Sequence, residues 1–282
     1  MKLKSISKYS LRCDNDSYLC CLICTASNCI PIRSTSKTKI KYMKKLIFFF
    51  SIATLLIFTS TSCKNSVPDS ITSKSYEVSS FSKLDIEIIG EVIYLQSDSV
   101  YVSAKGSSSL TDALKVSEKK GELSIEMKNK RKFSGSKKEL VITVGSPNIE
   151  EINFESIGNL HLKNNIKVGN LKITNKGVGE IKIDDCHVNK FDLISKSVGT
   201  IKIKGSANES SIHSENIGQI DCSKFKAKKA KVVSKGTSDL LVYANESIDI
   251  TISGIGKIKY YGNPQDVKTD ISRLGKATNM GD

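Results

Sequence analysis

One five-residue phrase recurs along the second half of the chain. Each copy has a glycine or a serine at its centre and an aliphatic residue or alanine two positions later. The copies are SIGNL at 156–160, GVGEI at 177–181, SVGTI at 197–201, NIGQI at 216–220, GTSDL at 236–240, GIGKI at 254–258 and RLGKA at 273–277. Their central residues are 18 to 21 positions apart. A fixed period near 20 that combines a turn residue with alternating apolar residues is the sequence mark of a solenoid.

The residues that follow each centre alternate between apolar and polar, as in Ile181-Lys182-Ile183. Such alternation predicts a strand that turns one face inward. Ile201 and Ile220 occupy the place of Ile181 in the next two copies and are predicted to continue its core position. A second alternating segment, such as 191–193, follows a polar corner. Each unit is therefore predicted to supply two short strands and two corners, and only stacked units can bury their inner faces.

The phrase never inverts, so equivalent strands of successive units must run parallel, about 4.8 Å apart. The predicted fold is all-β: a right-handed parallel β-helix of about seven coils of about 20 residues, with an N-terminal β capping segment. Residues 149–282 supply the coils. Residues 75–148 contain strand-like segments outside the repeat register and supply the cap. The alternative is an antiparallel sandwich, in which strands recur every 8 to 12 residues or so.

Residues 43–62 have the layout of a secretory signal peptide. Met43-Lys44-Lys45 is a basic start, residues 46–58 are predominantly apolar, and Ser60-Thr61-Ser62 precedes Cys63. The apolar run is too short to span a bilayer. Small residues followed directly by cysteine resemble a bacterial lipobox, which predicts that Cys63 becomes the lipidated N-terminus and that residues 63–74 form a tether. The alternative is an ordinary signal peptide that ends near the same place.

Residues 1–42 precede this signal, and Met43 is a natural start, so we interpret them as a misannotated upstream extension. They hold five of the eight cysteines, including the C-x-x-C spacing of Cys21 and Cys24, but no second paired set accompanies it. They also hold much of the net charge of +14. After residue 63 the chain has 33 basic and 27 acidic residues, a net charge of +6. A nucleic-acid partner is therefore not expected, since such proteins concentrate more positive charge on one face.

Several segments outside the repeats carry a family pattern. They are FSKLDI at 81–86, GEVIYL at 90–95, GELSI at 121–125, PNIEEI at 147–152 and YGNP at 261–264. Together with the repeats they resemble the head GIN domain family of auto-transporter adhesins over about residues 75–280, with departures at Ser238 and at Arg273-Leu274. The resemblance implies a β-helical fold and an exported, lipid-anchored protein of the bacterial cell envelope, at the outer membrane. The family label names an adhesin but brings no binding motif.

Polysaccharide lyases share the β-helix, so the predicted fold is also compatible with an enzyme. The outward positions after the phrase centres place no two carboxylates next to each other, and His161, His187 and His213 fall at different repeat offsets. Asp184-Asp185 is typical of a solvated corner. Cys186 and Cys222 lie two coils apart, roughly 10 Å, too far for a disulfide, and Cys222 takes the place of a core aliphatic residue. The sequence predicts no enzyme, metal or cofactor.

The remaining hypotheses are a binding module for a glycan or a protein partner, and a structural or envelope-sensing scaffold without an external ligand. Outward lysines form the candidate ligand surface: Lys182, Lys202, Lys224 and Lys231. The last two belong to a run of five lysines between 224 and 231. The repeat offsets predict acidic neighbours one coil away for Lys226, Lys228 and Lys229, at Glu246, Glu209 and Asp249. They predict none for Lys224 and Lys231.

Overall fold

The computed structural model describes residues 70–133, 139–272 and 274–281. The predictions for residues 1–42, the signal peptide, Cys63 and most of the tether lie outside these ranges. In the described part of the chain, no helix is both long enough and apolar enough to cross a membrane.

Sixteen strands, one helical turn and one 3-10 turn make up the described structure. In chain order they are β1 (Ile71–Tyr76), β2 (Lys83–Glu87), β3 (Ile89–Gln96), β4 (Tyr101–Ser107), α1 (Ser108–Thr111), β5 (Leu114–Lys119), β6 (Glu122–Met127), the 3-10 turn (Lys130–Lys132), β7 (Leu140–Ser146), β8 (Glu151–Phe154), β9 (Ile157–Asn175), β10 (Val178–Ser195), β11 (Val198–Ser214), β12 (Ile217–Ser234), β13 (Thr237–Ile252), β14 (Lys257–Tyr261), β15 (Asp266–Ile271) and β16 (Lys276–Asn279).

The repeats form a parallel β-solenoid, as predicted. Each phrase lies beside the next one: Gly179 is in register with Gly199, Gly199 with Gly218, and Gly218 with Ser238. All pairing between β9 and β13 is parallel, which excludes the antiparallel sandwich. The chain makes about six turns, slightly fewer than the seven predicted. The difference is one of counting, because seven phrases enclose only six complete turns.

The coils from β9 to β12 pair through three runs, so the prediction of two strands per unit was wrong for them. Between β10 and β11 the register is kept over residues 178–183, 186–188 and 190–195 of β10, with interruptions at 184–185 and 189. We call these the first, middle and third runs of a coil. The middle run is only three or four residues long in these coils, too short for an alternating pattern to reveal it.

The prediction that residues 75–148 lie outside the repeat register was wrong for part of that segment. Strands β2 and β3 form a coil that stacks in parallel on the first repeat, with Leu84 opposite Ile152 and Gly90 opposite Gly158. Strands β6 and β7 stack in parallel on the other side of that coil. A search for a 20-residue period misses this coil because the chain leaves it after β3 and builds other strands before returning at β8.

Antiparallel strands cover the N-terminal end of the solenoid. Strand β4 pairs with β7, β1 pairs with β4, and β5 pairs with β6, all antiparallel. A bare end coil would expose both core side chains and unpaired strand edges. The predicted N-terminal β capping segment therefore corresponds to β1, β4 and β5.

The interior is a stack of aliphatic rows. Ile181, Ile201 and Ile220 are each at most 1% exposed and lie next to one another in successive coils, as predicted. Phe191 and Phe225 meet edge to face with ring centroids 5.0 Å apart. Cys222 is buried, as expected for a residue in an aliphatic position.

A row of buried polar side chains runs beside this apolar core, at the corner that precedes each phrase. Asn175 donates from Nδ2 to Ser197 Oγ at 2.8 Å, and the Ser197 backbone N–H donates to Asn216 Oδ1 at 3.0 Å. The Ser195 hydroxyl also donates to Asn216 Oδ1, at 3.0 Å. These bonds satisfy groups that are almost completely removed from water, and they connect three successive coils.

Candidate functional site

A groove runs along the stack on the third run of the coils, from β10 to β15. Its volume is about 400 Å³. One wall is the row of outward side chains that begins at Lys190, and the other is the row that begins at Asp192. The first wall continues through Glu209, Lys229, Ser247 and Asp266, and the second through Ser211, Lys231, Asp249 and Lys268.

The floor of the groove is the inward row between these walls. Two successive coils place small residues there, Ser210 and Ala230, where the coils on either side have Phe191 and Ile248. Ser210 and Ala230 are buried, and Phe225 from the middle run lies inside the solenoid against Phe191. Phe225 supplies apolar volume that the two small side chains do not provide. The core thus stays packed while the middle of the groove floor, at Ser210 and Ala230, carries only small side chains.

The charges of the groove are balanced. Lys190 and Asp192 form an ion pair across it at 3.5 Å, and Lys268 and Asp266 approach to 3.9 Å. Along the walls, Lys229 is in register with Glu209, and Lys231 with Asp249. Four lysines and four carboxylates line the groove, so it has no net charge to select an ionic ligand. Alternating donors and acceptors instead fit a ligand that is rich in hydrogen-bonding groups.

The structure does not bring the four predicted ligand-surface lysines together. Lys182 and Lys202 are neighbours on the first run, but each is held by a carboxylate: Lys182 by Asp184 at 2.8 Å and Lys202 by Glu180 at 2.9 Å. Lys224 lies on the middle run beside Lys204. Only Lys231 lines the groove.

The predicted acidic neighbours of the lysine run were misplaced by one or two residues. Glu209 stands beside Lys229 rather than Lys228, and Asp249 beside Lys231 rather than Lys229. The cause is breaks in register that a count of offsets ignores. There is one between β11 and β12, after Lys202, and there are two between β12 and β13, after Asp221 and after Ala227. Lys231 therefore has an acidic neighbour after all, whereas Lys224 stands beside another lysine.

Most of the groove, including Lys190, Asp192 and Ser211, was not predicted from the sequence. Ser210 and Ala230 interrupt a row of large apolar residues, but the row is visible only once the coils are aligned, because Phe191, Ser210, Ala230 and Ile248 lie 12, 11, 12 and 10 positions after their phrase centres. Two small residues in neighbouring coils at an inward offset mark a place where the wall of the stack is thin.

The three histidines are not near one another in the repeat register, but each has a carboxylate partner. Asp185, His187 and Ser206 form a hydrogen-bonded trio, with His187 Nδ1 2.8 Å from Ser206 Oγ and His187 Nε2 3.2 Å from Asp185 Oδ2. These are the residue types of a hydrolase triad. However, the Asp185 and His187 side chains are both 42% exposed, and neither lines this groove. Such triads rely on a water-excluded site with preorganised donors, so the trio is better explained as surface hydrogen bonding.

The remaining chemistry of the described residues is sparse. In residues 70–133, 139–272 and 274–281, no group of three His, Cys, Asp or Glu side chains is placed to hold a metal ion. Cys186 and Cys222 are free and buried. Burial raises the pKa of the Cys186 thiol to about 12, with a smaller contribution from Asp185. A thiol that stays protonated at neutral pH is a poor nucleophile.

Solved structures share this fold. A putative adhesin from Bacteroides fragilis has a TM-score of 0.69 and 28% sequence identity, over 75% of this chain and 97% of that chain. A putative adhesin from Parabacteroides distasonis has a TM-score of 0.55 and 19% identity, over 75% of this chain and 98% of that chain. A putative lipid binding protein from the same species has a TM-score of 0.50 and 19% identity, over 74% of this chain and 96% of that chain. The last two likenesses show the fold alone.

No curated protein matches the chain. The family comparison gives a match over residues 80–264, which include every coil from β2–β3 to β14. The chain therefore belongs to the family described as putative auto-transporter adhesin, head GIN domain.

Proposed function

We propose that the chain is a lipid-anchored adhesin of the bacterial cell envelope that binds a neutral glycan in the groove on the third run. The observation that carries the proposal is the groove itself, an open channel with a floor of small residues and walls of alternating charge. Membership of an adhesin family and the likeness to the Bacteroides fragilis adhesin support a binding role. Attachment through Cys63 would present the solenoid to ligands outside the cell.

The balanced charge of the groove favours a neutral glycan over an acidic one. An acidic polymer would meet Asp192, Glu209, Asp249 and Asp266 as well as the lysines. The hydroxyl groups of a neutral glycan can donate hydrogen bonds to these carboxylates and accept hydrogen bonds from the lysines, without net electrostatic repulsion. The groove follows the stack over four rungs, roughly 20 Å, which suits an extended chain rather than a single sugar.

The test is binding to an immobilised panel of neutral and acidic oligosaccharides. Ser211→Trp places an indole in the groove without changing its charge, and it should weaken binding of a neutral glycan by at least about tenfold. Asn208→Trp is the matched control, because it adds the same side chain to an exposed position of the same strand, between the middle and third runs, that does not line the groove. It should leave binding unchanged.

Three results would contradict the proposal that a neutral glycan binds in the groove. If binding is confined to acidic polymers, weakens steeply with salt and disappears in Lys224→Ala/Lys231→Ala, the exposed lysines form the ligand surface instead. If neither the panel nor envelope extract contains a ligand, the scaffold hypothesis is the better account. A ligand from the extract that proves to be a protein would assign the module to a protein partner.

A further inference from the structure

Six large apolar side chains stand in a line on the corner of the solenoid, one position before each phrase centre. They are Ile157, Val178, Val198, Ile217, Ile255 and Leu274. The first five are between 47% and 58% exposed and the last is 72% exposed. Thr237 occupies the same place in the remaining coil. We call this line, Thr237 included, the aliphatic ridge.

The ridge is continuous because the register of the solenoid aligns its members. Ile157 lies opposite Val178, Val178 opposite Val198, and Val198 opposite Ile217. The seven ridge positions are separated by six steps of about 4.8 Å, which gives a ridge roughly 29 Å long. Single exposed apolar residues are common, but a contiguous line of this kind marks an interaction surface in a soluble domain.

The two sides of the ridge carry complementary charges in two of the coils. Two positions before the ridge lie Glu155, Lys176, Lys196, Glu215, Lys235, Ser253 and Ser272, which we call the preceding row. Two positions after it lie Asn159, Glu180, Thr200, Gln219, Asp239, Lys257 and Lys276, which we call the following row. The preceding row has a net charge of +1 and the following row is neutral. A sum of +1 gives little attraction to an anionic bilayer. The opposite charges of Lys176 and Glu180, and of Lys235 and Asp239, suit a partner with the reverse arrangement.

We propose that the partner is a second copy of this chain, packed ridge against ridge with the two solenoids parallel. A two-fold axis along the ridge places the preceding row of one copy against the following row of the other. Lys176 then faces Glu180, and Lys235 faces Asp239, each pair occurring twice. No like charges face each other. In an antiparallel arrangement, the preceding row of one copy faces the preceding row of the other. Lys196 of one copy then faces Lys196 of the other when the two-fold axis passes through Val198.

The size of the ridge indicates a weak dimer. The preceding row, the ridge and the following row are two residues apart along the strand, so together they are about 13 Å wide. Over the length of the ridge, each copy therefore buries on the order of 400 Å². Stable interfaces bury about 800 Å² per partner. Such a contact needs a high local concentration, which attachment to one membrane provides. In the parallel arrangement both N-terminal caps lie at the same end, as two anchors in one membrane require; this argument alone rests on the proposed anchor.

Sedimentation equilibrium of the full chain in neutral detergent, over a wide concentration series, tests the dimer. Val198→Ser/Ile217→Ser should weaken self-association by at least about tenfold, because it removes apolar contacts from the centre of the ridge. Ile71→Ser is the control, since Ile71 is 76% exposed and lies in the cap. Equal association in all three proteins, or a wild type that stays monomeric throughout the series, would overturn the proposal.

A charge exchange tests the parallel two-fold axis separately. Lys235 and Asp239 have no ion-pair partner within 4.0 Å among the described residues, so a change there leaves the solenoid's own ion pairs intact. Lys235→Asp and Asp239→Lys should each weaken dimerisation, and the double variant should restore it. Two weakened single variants without restoration in the double variant would contradict the parallel arrangement. Binding of the monomer to phosphatidylcholine vesicles, lost in Val198→Ser/Ile217→Ser, would show that the ridge meets lipid instead.

Discussion

The glycine at the centre of each of the first four phrases is required by two separate features of the backbone. Gly199 has φ of +146°, and a Cβ atom built on it would lie 1.9 Å from the carbonyl oxygen of Gly179 in the coil before it. The same close approach recurs at Gly158, Gly179 and Gly218. L-residues that carry a side chain rarely adopt such φ values. The carbonyl oxygen that a Cβ atom would meet belongs to the backbone, which cannot move aside.

Ser238 shows where this constraint ends. It takes the place of the glycine in its phrase, and its φ is not positive. Its hydroxyl instead lies 3.2 Å from Ser214 Oγ in the buried polar row. The corner therefore changes conformation between Gly218 and Ser238, which explains why the phrase can depart from glycine there.

Replacing Gly199 by alanine should destabilise the solenoid by about 3 kcal/mol or more. The loss combines the unfavourable backbone conformation with the contact to Gly179. Gly169→Ala is the matched control, because Gly169 does not have positive φ and a Cβ there meets no atom within 4 Å. Urea unfolding of both variants measures the difference. A Gly199→Ala variant as stable as Gly169→Ala would mean that the corner adopts another conformation in solution.

At the scale of the elements, strand β8 joins the N-terminal coil to the repeats. Glu151 on β8 lies between Lys83 on β2 and Lys172 on β9, at 3.6 Å and 2.8 Å. The hydrogen bond from Lys172 is the main reason that the pKa of Glu151 lies below its usual value near 4.5, and it outweighs the opposing effect of burial. One carboxylate therefore connects three successive coils.

This ion-pair cluster predicts a loss of stability in acid. A carboxyl group whose pKa is lowered by folding stabilises the protein fully above its unfolded pKa, near 4.5. The contribution disappears as the pH falls through the lower, folded pKa. Glu151→Gln should therefore make the free energy of unfolding less dependent on pH between about pH 5 and pH 3. Equilibrium unfolding at a series of pH values measures the slope.

Glu150→Gln is the control for this pH dependence. Glu150 is the exposed neighbour of Glu151 and has no ion-pair partner in the part of the chain that the structure describes. If the two variants have the same slope as the wild type, the cluster does not contribute to acid stability. If Glu150→Gln alone flattens the slope, the assignment to Glu151 is wrong.

The elements also show how far the sequence determines the structure. Parallel strands follow from a phrase that never inverts, and the core row through Ile201 follows from its alternation. The coil of β2 and β3 could not be predicted, because the chain builds the cap between Gly90 and its neighbour Gly158. The groove depends on two small residues that matter only when the coils are correctly aligned. The predicted acidic neighbours of the lysine run were wrong for the same reason, since one break in register displaces every later pair.

On the scale of the whole molecule, the solenoid separates its surfaces. The groove lies between the two walls of the third run, the aliphatic ridge lies on the corner that follows that run, and the cap lies at the N-terminal end. A glycan in the groove would therefore leave the ridge free for a second copy. Strand β1, the first strand of the described residues, belongs to that cap.

The proposed attachment at Cys63 is testable by fractionation. Cys63→Ala should move the protein from the membrane fraction to the soluble fraction, because the preceding apolar run is only 13 residues long and cannot itself span a bilayer. Cys222→Ala is the control, since Cys222 is buried in the core and its loss should not change the partition. Membranes are washed with high salt before the measurement, which removes proteins held by charge alone. If Cys63→Ala still sediments with washed membranes, the lipid anchor is refuted. If the wild type is already soluble, residues 43–62 act as an ordinary signal peptide.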